Sequence, residues 1–216
     1  MKCGIGLRNR EENKYFLRKD FIIILFSIAF TPTAAQTDCK LRKDQDSIKV
    51  FTCGTDTSRF KSIRAEFTLH ASLQQLENFL LDFPNYVMWQ YNTTESKSLR
   101  KISNSEFIYY ARIEAPWPIS DRDMVVRLRS VRTNKSLVVA ANSEKNILSE
   151  RRDFVRVRAS YSKWVATETK KNFIEIKYEI QIDPGGNVPA WLINWVCAQA
   201  PYQSFKNLKE QIAKRK

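Results

Sequence analysis

Between Asn172 and Asp183 every second residue is apolar: Ile174, Ile176, Tyr178, Ile180 and Ile182 alternate with Glu175, Lys177, Glu179 and Gln181. A period of two held this long describes a strand with one dry and one wet face, and it does not fit a helix. The dry face must be covered by another layer, so the chain has to build a sheet packed on one side. Asp123–Arg132 repeats the pattern, with Met124, Val126 and Leu128 facing one way and Arg127 and Arg129 the other. Glu106–Glu114, Ser136–Asn142, Phe154–Thr167 and Phe60–Leu69 read as further strands,.

Two helices flank this material. Ser72 caps a helix Leu73–Leu81 whose Leu73, Leu76, Phe79 and Leu80 share a face, and Pro84 stops it,. Asp183-Pro184-Gly185-Gly186 is a turn, and Pro189 suits the first turn of a helix running to Ala213,. Ile193, Cys197, Ala200, Ser204, Leu208 and Ile212 form its mainly apolar stripe, Lys206, Lys209 and Glu210 face water, and Pro201 should bend it,. The expected fold class is therefore α+β: a helix-grip arrangement, a curved antiparallel sheet gripping a long C-terminal helix around an apolar cavity. No repeat or linker interrupts residues 40–213, which suits one domain and a monomer,.

The chain is basic, with 36 Lys and Arg against 23 Asp and Glu and a net charge of +13. These cations mostly alternate with apolar residues, as Arg156, Arg158, Lys171 and Lys177 do, and read as a solvated face; transient contact with an anionic membrane surface is compatible with them,. Lys14, Arg18 and Lys19 precede the apolar run Phe21–Phe30, then Pro32, Ala34 and Ala35. This order reads as a signal peptide over residues 1–35, cleaved near Ala35/Gln36, and hence as export to a periplasm or medium,. Ten apolar residues of helix cover about 15 Å, short of a bilayer core, which disfavours the alternative of an anchor. Cys39 and Cys53 flank a hairpin, Leu41–Lys43 and Ile48–Thr52 around Asp44-Gln45-Asp46-Ser47, and an oxidising compartment would permit a disulfide between them,.

Three landmarks carry a resemblance. They are Asp82-Phe83-Pro84-Asn85-Tyr86-Val87-Met88-Trp89 after the first helix, Pro116-Trp117-Pro118-Ile119-Ser120-Asp121-Arg122-Asp123 before a central strand, and Asp183-Pro184-Gly185-Gly186-Asn187-Val188-Pro189-Ala190-Trp191-Leu192-Ile193-Asn194 at the last helix. In order and spacing the chain resembles, over residues 40–213, the steroidogenic-acute-regulatory-related lipid-transfer (START) family, its short exported bacterial-type members most, which implies a lipid-binding domain over residues 36–216. The resemblance implies a START/Bet v1-like helix grip around a tunnel for one lipid or other hydrophobic molecule, gated by the C-terminal helix and nearby loops. Six positions after Arg122, where animal sterol carriers of the family place a charged residue, stands Leu128, which points to a more uniformly apolar ligand. Where related chains carry Trp and Arg around the first hairpin, this one has Cys39 and Cys53, which strengthens the disulfide expectation.

The candidate cavity residues are Trp89, Tyr109, Met124, Val126, Leu128, Tyr161, Tyr178, Ile180 and Asn194, and the candidate gate residues are Trp191, Trp195 and Pro201. Arg122 reads as a structural partner for a carboxylate such as Asp82 or Asp123 rather than as a headgroup binder,. No metal site, cofactor motif or nucleic-acid recognition pattern is present, and the only histidine is His70,. A carrier without catalytic residues is therefore the expected function. A cyclase- or aromatase-like helix-grip enzyme is the alternative, and a basic protein binding anionic lipid or nucleic acid through its surface is the third reading.

Overall fold

A computed structural model of the chain describes residues 38–54, 62–186, 188 and 190–215, with side chains omitted over 190–198. In order, the elements are β1 (Cys39–Gln45), β2 (Ile48–Cys53), β3 (Ser62–Leu69), α1 (Leu73–Leu80), a 3-10 turn (Phe83–Met88), β4 (Thr93–Lys101), β5 (Glu106–Ile113), β6 (Arg122–Arg132), β7 (Ser136–Ser143), β8 (Val155–Arg156), β9 (Ala159–Lys170), β10 (Phe173–Asp183) and α2 (Ala190–Lys214). The strands form one sheet in the order β1-β2-β3-β10-β9-β7-β6-β5-β4, antiparallel throughout except that β8 runs parallel to the start of β6. With α2 laid against its inner face this is the α+β helix grip.

Register carries the alternation of β10 across the whole sheet. Ile176 opposes Phe67 of β3 and Ala166 of β9, and Tyr178 opposes Ala65 and Trp164. Trp164 opposes Val139 of β7, Leu128 of β6 opposes Ala141, and Tyr109 of β5 opposes Val126. Directly opposed residues share a face, so one apolar surface runs from Ile48 and Val50 on β2 to Tyr109 and Ala111 on β5. It is closed by Leu73, Leu76, Phe79 and Leu80 of α1 and by Tyr202, Phe205, Leu208 and Ile212 of α2 in one buried cluster. Ser72 caps α1 through a capping box with Gln75,.

The buried stripe of α2 differs from the expected one: Tyr202 and Phe205 lie inside with Leu208 and Ile212, whereas Ser204 is half-buried and bonded to the backbone. The helix passes through Pro201 as one element of 25 residues. Two elements escape the sequence reading. β4 is an edge strand of mostly polar residues, Thr-Thr-Glu-Ser-Lys-Ser-Leu-Arg-Lys, with no apolar alternation to mark it,. The strand expected over 154–167 is two strands, because Val155 and Arg156 leave the path to pair with Arg122 and Asp123.

The first hairpin turns at Asp46 and Ser47, both at positive φ (54° and 58°), the pairing that a two-residue turn of this hand requires,. Cys39 faces Cys53 at its open end, and the two form a disulfide.

Candidate functional site

Three of the candidate cavity aromatics meet inside the grip. Tyr109 stacks on Phe83 at 4.7 Å, Tyr86 lies 5.3 Å from Tyr109 and 5.1 Å from Trp89, and Trp89 lies 6.3 Å from Trp164. Trp164 lies 4.7 Å from Tyr178, and Phe205 of α2 joins both. The series runs continuously from β5 to α2. Phe83, Tyr86, Trp164 and Phe205 are its unforeseen members. Phe83 and Tyr86 were in view as landmark residues, and Trp164 and Phe205 show only once the phase of β9 and of α2 is known.

Burial sets the chemistry of these rings. It pushes the hydroxyl pKa of Tyr109 and Tyr178 well above the ordinary tyrosine value, and that of Tyr86 likewise,. They stay protonated and act as hydrogen-bond donors, not bases. Tyr86 already donates to the Leu80 carbonyl at 2.5 Å. The Trp89 indole nitrogen and the Ser96 hydroxyl are buried with no hydrogen-bond partner among the described residues.

The inner face changes along its length. Val126, Leu128, Ala141, Trp164, Ile174 and Ile176 are buried, whereas Arg122, Met124, Ser143, Ser160, Ser162, Tyr178, Ile180 and Ile182 are only partly covered. All the latter are inward positions by register. Among the described residues, one end of the grip is thus lined by buried side chains and the other by partly covered ones.

Two expectations are corrected. Tyr161 lies on the outer face, opposed to Gln181 and Asn142 and 39% exposed; its inward neighbours are Ser160 and Ser162, because the phase of β9 is set by its partner β10. Arg122 pairs with neither Asp82 nor Asp123. Asp123 is taken by Arg156 at 2.7 and 2.9 Å, both side chains nearly buried, and Asp82 is taken by Arg215 at 2.9 Å and by Asn85. Arg122 instead donates to the carbonyls of Ser120 and, at 3.5 Å, Pro184. Met124, Val126, Leu128 and Ile180 face inward as expected. The side chains of Trp191, Asn194 and Trp195, and residues 1–35, lie outside the described residues.

The half of α2 after Pro201 is tied down. Tyr202 donates to Asp46 at 2.5 Å, Ser204 accepts from the Tyr91 amide at 3.0 Å, Asn207 reaches the Trp89 carbonyl at 3.4 Å and Lys209 the Asp46 carbonyl at 2.9 Å. On the far side, the loop between β5 and β6 carries Trp117, 92% exposed, next to the uncovered end of the grip.

A one-sided sheet wrapped on a helix around an aromatic interior defines the helix-grip class of folds. Residues 40–212 match the model of the START domain, and the chain belongs to that family. An uncharacterized protein of Pseudomonas aeruginosa is 26% identical over 183 residues, 84% of this chain and 90% of its own length. Human phosphatidylcholine transfer protein is 33% identical over 113 residues; the match spans 49% of this chain and about half, 51%, of that protein. Among solved structures, a STAR-related lipid transfer protein from Xanthomonas axonopodis superposes with a TM-score of 0.74 at 24% identity, covering 81% of this chain and 98% of that one.

Proposed function

We propose that this protein takes up a lipid or similar hydrophobic molecule between its sheet and α2 and carries it unchanged. The carrying observation is the gradient along the inner face. An aromatic and aliphatic surface is sealed at one end and left partly uncovered at Met124, Tyr178, Ile180 and Ile182, and uncovered inward-facing apolar surface is what a hydrophobic ligand stabilises. The relatives named for lipid transfer support the same class of cargo. The protonated Tyr109 and Tyr178 offer hydrogen bonds and no base, and His70 meets Phe173 edge-to-face at 5.4 Å at the exposed end of β3; both support a carrier over an enzyme.

In this reading α2 is the gate. Its second half is held by Asp46, Tyr91 and Trp89, so the segment before Pro201, which lacks the N–H that would tie it to the preceding turn, is the part that moves. Trp117 on the neighbouring loop is an amphipathic ring suited to a membrane surface, and a transient encounter with an anionic bilayer, aided by the positive net charge, brings the uncovered end to the lipid,. The disulfide supports export, with residues 1–35 as the removed signal,.

The test is native mass spectrometry of the protein purified from its own host, followed by transfer of the extracted compound between vesicles. One hydrophobic molecule per chain, unchanged after long incubation, is expected. A bound compound converted during incubation, with conversion lost on replacing Tyr109 or Tyr178, would establish the enzyme instead.

A further inference from the structure

At the uncovered end of the grip three guanidinium groups stand among two carboxylates. Arg112 holds Asp121 at 2.8 and 3.2 Å, and Arg156 holds Asp123 at 2.7 and 2.9 Å. Each of these pairs is neutral, so the charge left over is that of Arg122. Among the described residues it forms no ion pair, and its hydrogen bonds go to the carbonyls of Ser120 and Pro184.

Arg122 is also the member of this group that faces the interior. It opposes Ile113, and two and four residues further along the same face of β6 come Met124 and Val126. Burial pushes its pKa below the ordinary arginine value, the field of Asp121 opposing this only in part. A partly desolvated cation above an apolar interior, with its neighbouring carboxylates committed elsewhere, is a place where an anion is strongly favoured.

Hydroxyls follow inward from it. Ser143 opposes Val126 and shares a 2.7 Å hydrogen bond with Ser160, Ser160 opposes Ile182, and Ser162 opposes Ile180 and hydrogen-bonds Tyr178. Beyond Ser162 the same face is Trp164 and Ala166. From the opening inward the order is therefore cation, hydroxyls, aromatic and aliphatic floor, the sequence of polarities of a phospholipid from phosphate through ester to acyl chain.

We propose that Arg122, with the hydroxyls of Ser143, Ser160 and Ser162, forms a polar subsite for the phosphoryl group and adjoining ester oxygens of a phospholipid whose acyl chains lie toward Trp164. This rests on the carrier reading and replaces the expectation of a uniformly apolar cargo.

The full-length protein, purified free of lipid, is incubated with vesicles holding equal amounts of a phosphatidylglycerol and a diacylglycerol of the same acyl chains, and the lipid bound to it is counted by mass spectrometry. The wild type is expected to load the phospholipid at least about tenfold over the diacylglycerol, the worth of one charge-assisted hydrogen bond. Arg122→Gln should lose most of that preference while still loading diacylglycerol, Arg122→Lys should keep it, and Ser143→Ala/Ser160→Ala should reduce it. Equal loading of the two lipids by the wild type, or an unchanged ratio in Arg122→Gln, overturns the proposal. If Arg122→Gln does not fold, an unchanged ratio in the double serine variant overturns it instead. An excess of inorganic phosphate should leave the ratio unchanged; collapse of the ratio would assign Arg122 to free phosphate and not to a lipid head. If the wild type loads neither lipid, the carrier reading falls and the subsite with it.

Discussion

The hydroxyl of Tyr202 donates to the carboxylate of Asp46 across 2.5 Å, tying the buried half of the C-terminal helix to the turn of the first hairpin. Lys43 of the same hairpin stands over the ring at 4.3 Å and Lys209 bonds the Asp46 carbonyl at 2.9 Å, so two side chains of the helix converge on one turn. Tyr202→Phe removes the bond and keeps the ring. The variant should unfold at lower urea concentration with an unchanged slope, and hydrogen exchange should quicken in residues 201–212 before it does in β9 or β10. The hydrogen bond to Asp46 raises the Tyr202 pKa. The bond's contribution is therefore complete below the ordinary tyrosine pKa of about 10 and is lost as pH rises through the raised value, so the gap between wild type and variant should close in that direction.

Reducing Cys39–Cys53, or replacing both by serine, should cost about 3 kcal/mol in denaturant unfolding, as expected for a bridge closing a short loop, here with a sequence separation of 14,. Because this hairpin receives Tyr202 and Lys209, exchange in the second half of α2 should quicken in the reduced protein. A reduced protein with unchanged midpoint and unchanged exchange in that helix would show that the hairpin does not depend on the bridge.

Ser47 occupies a left-handed conformation at φ 58° that glycine adopts without steric cost,. Ser47→Gly should raise stability by about 0.5–1 kcal/mol in urea titrations, the relief at Ser47 exceeding the entropy that glycine adds to the unfolded chain.

Leu208 is fully buried on α2 among the residues that close the sealed end. Leu208→Ala should cost about 2–5 kcal/mol through the cavity it leaves. If α2 moves only before Pro201, this variant should lose stability without gaining speed in lipid transfer between vesicles.

Acid should weaken the outer face and the mouth together. Hydrogen bonds from Arg112 to Asp121, and from Arg127 and Arg129 to Glu106, hold both carboxyls below their ordinary pKa. Their contributions are complete above the ordinary carboxylate range, near pH 4, and are lost as pH falls through the depressed values. Unfolding midpoints measured from pH 6 down to pH 2 should therefore fall below pH 4, and the fall should be smaller in Asp121→Asn.

The strands with one wet and one dry face were legible because alternation is the direct imprint of a half-covered sheet: Ile174 to Ile182 and Met124 to Leu128 lie where their spacing puts them. β4 was not, since an edge strand such as Thr93–Lys101 has little to bury and so little pattern to show. Tyr161 was misassigned because β9 carries serines, not aliphatics, at its inward positions 160 and 162, and an exposed tyrosine then looks like the apolar member of the pair. That Asp123 is not available to Arg122 was beyond sequence reasoning for another reason: β8 brings Arg156 against Asp123 from 33 residues away, and no local signal announces that pairing.

The place of β3 beside β10 in the sheet has a consequence for how the chain is made. Leu69 must wait for Ile174, and Phe67 for Ile176, so the middle of the sheet is joined only when the C-terminal part of the chain has left the ribosome. Until then β1, β2 and β3 can form a three-stranded piece with Ile48, Val50 and Phe67 uncovered and the backbone groups of β3 unpaired along one side, a surface that invites association with other nascent chains,. Bonds closed so late in synthesis, those from Tyr202 and Lys209 to Asp46 and from Arg215 to Asp82 among them, make for slow folding of a chain whose newly made N-terminal strands wait longest for their partners,.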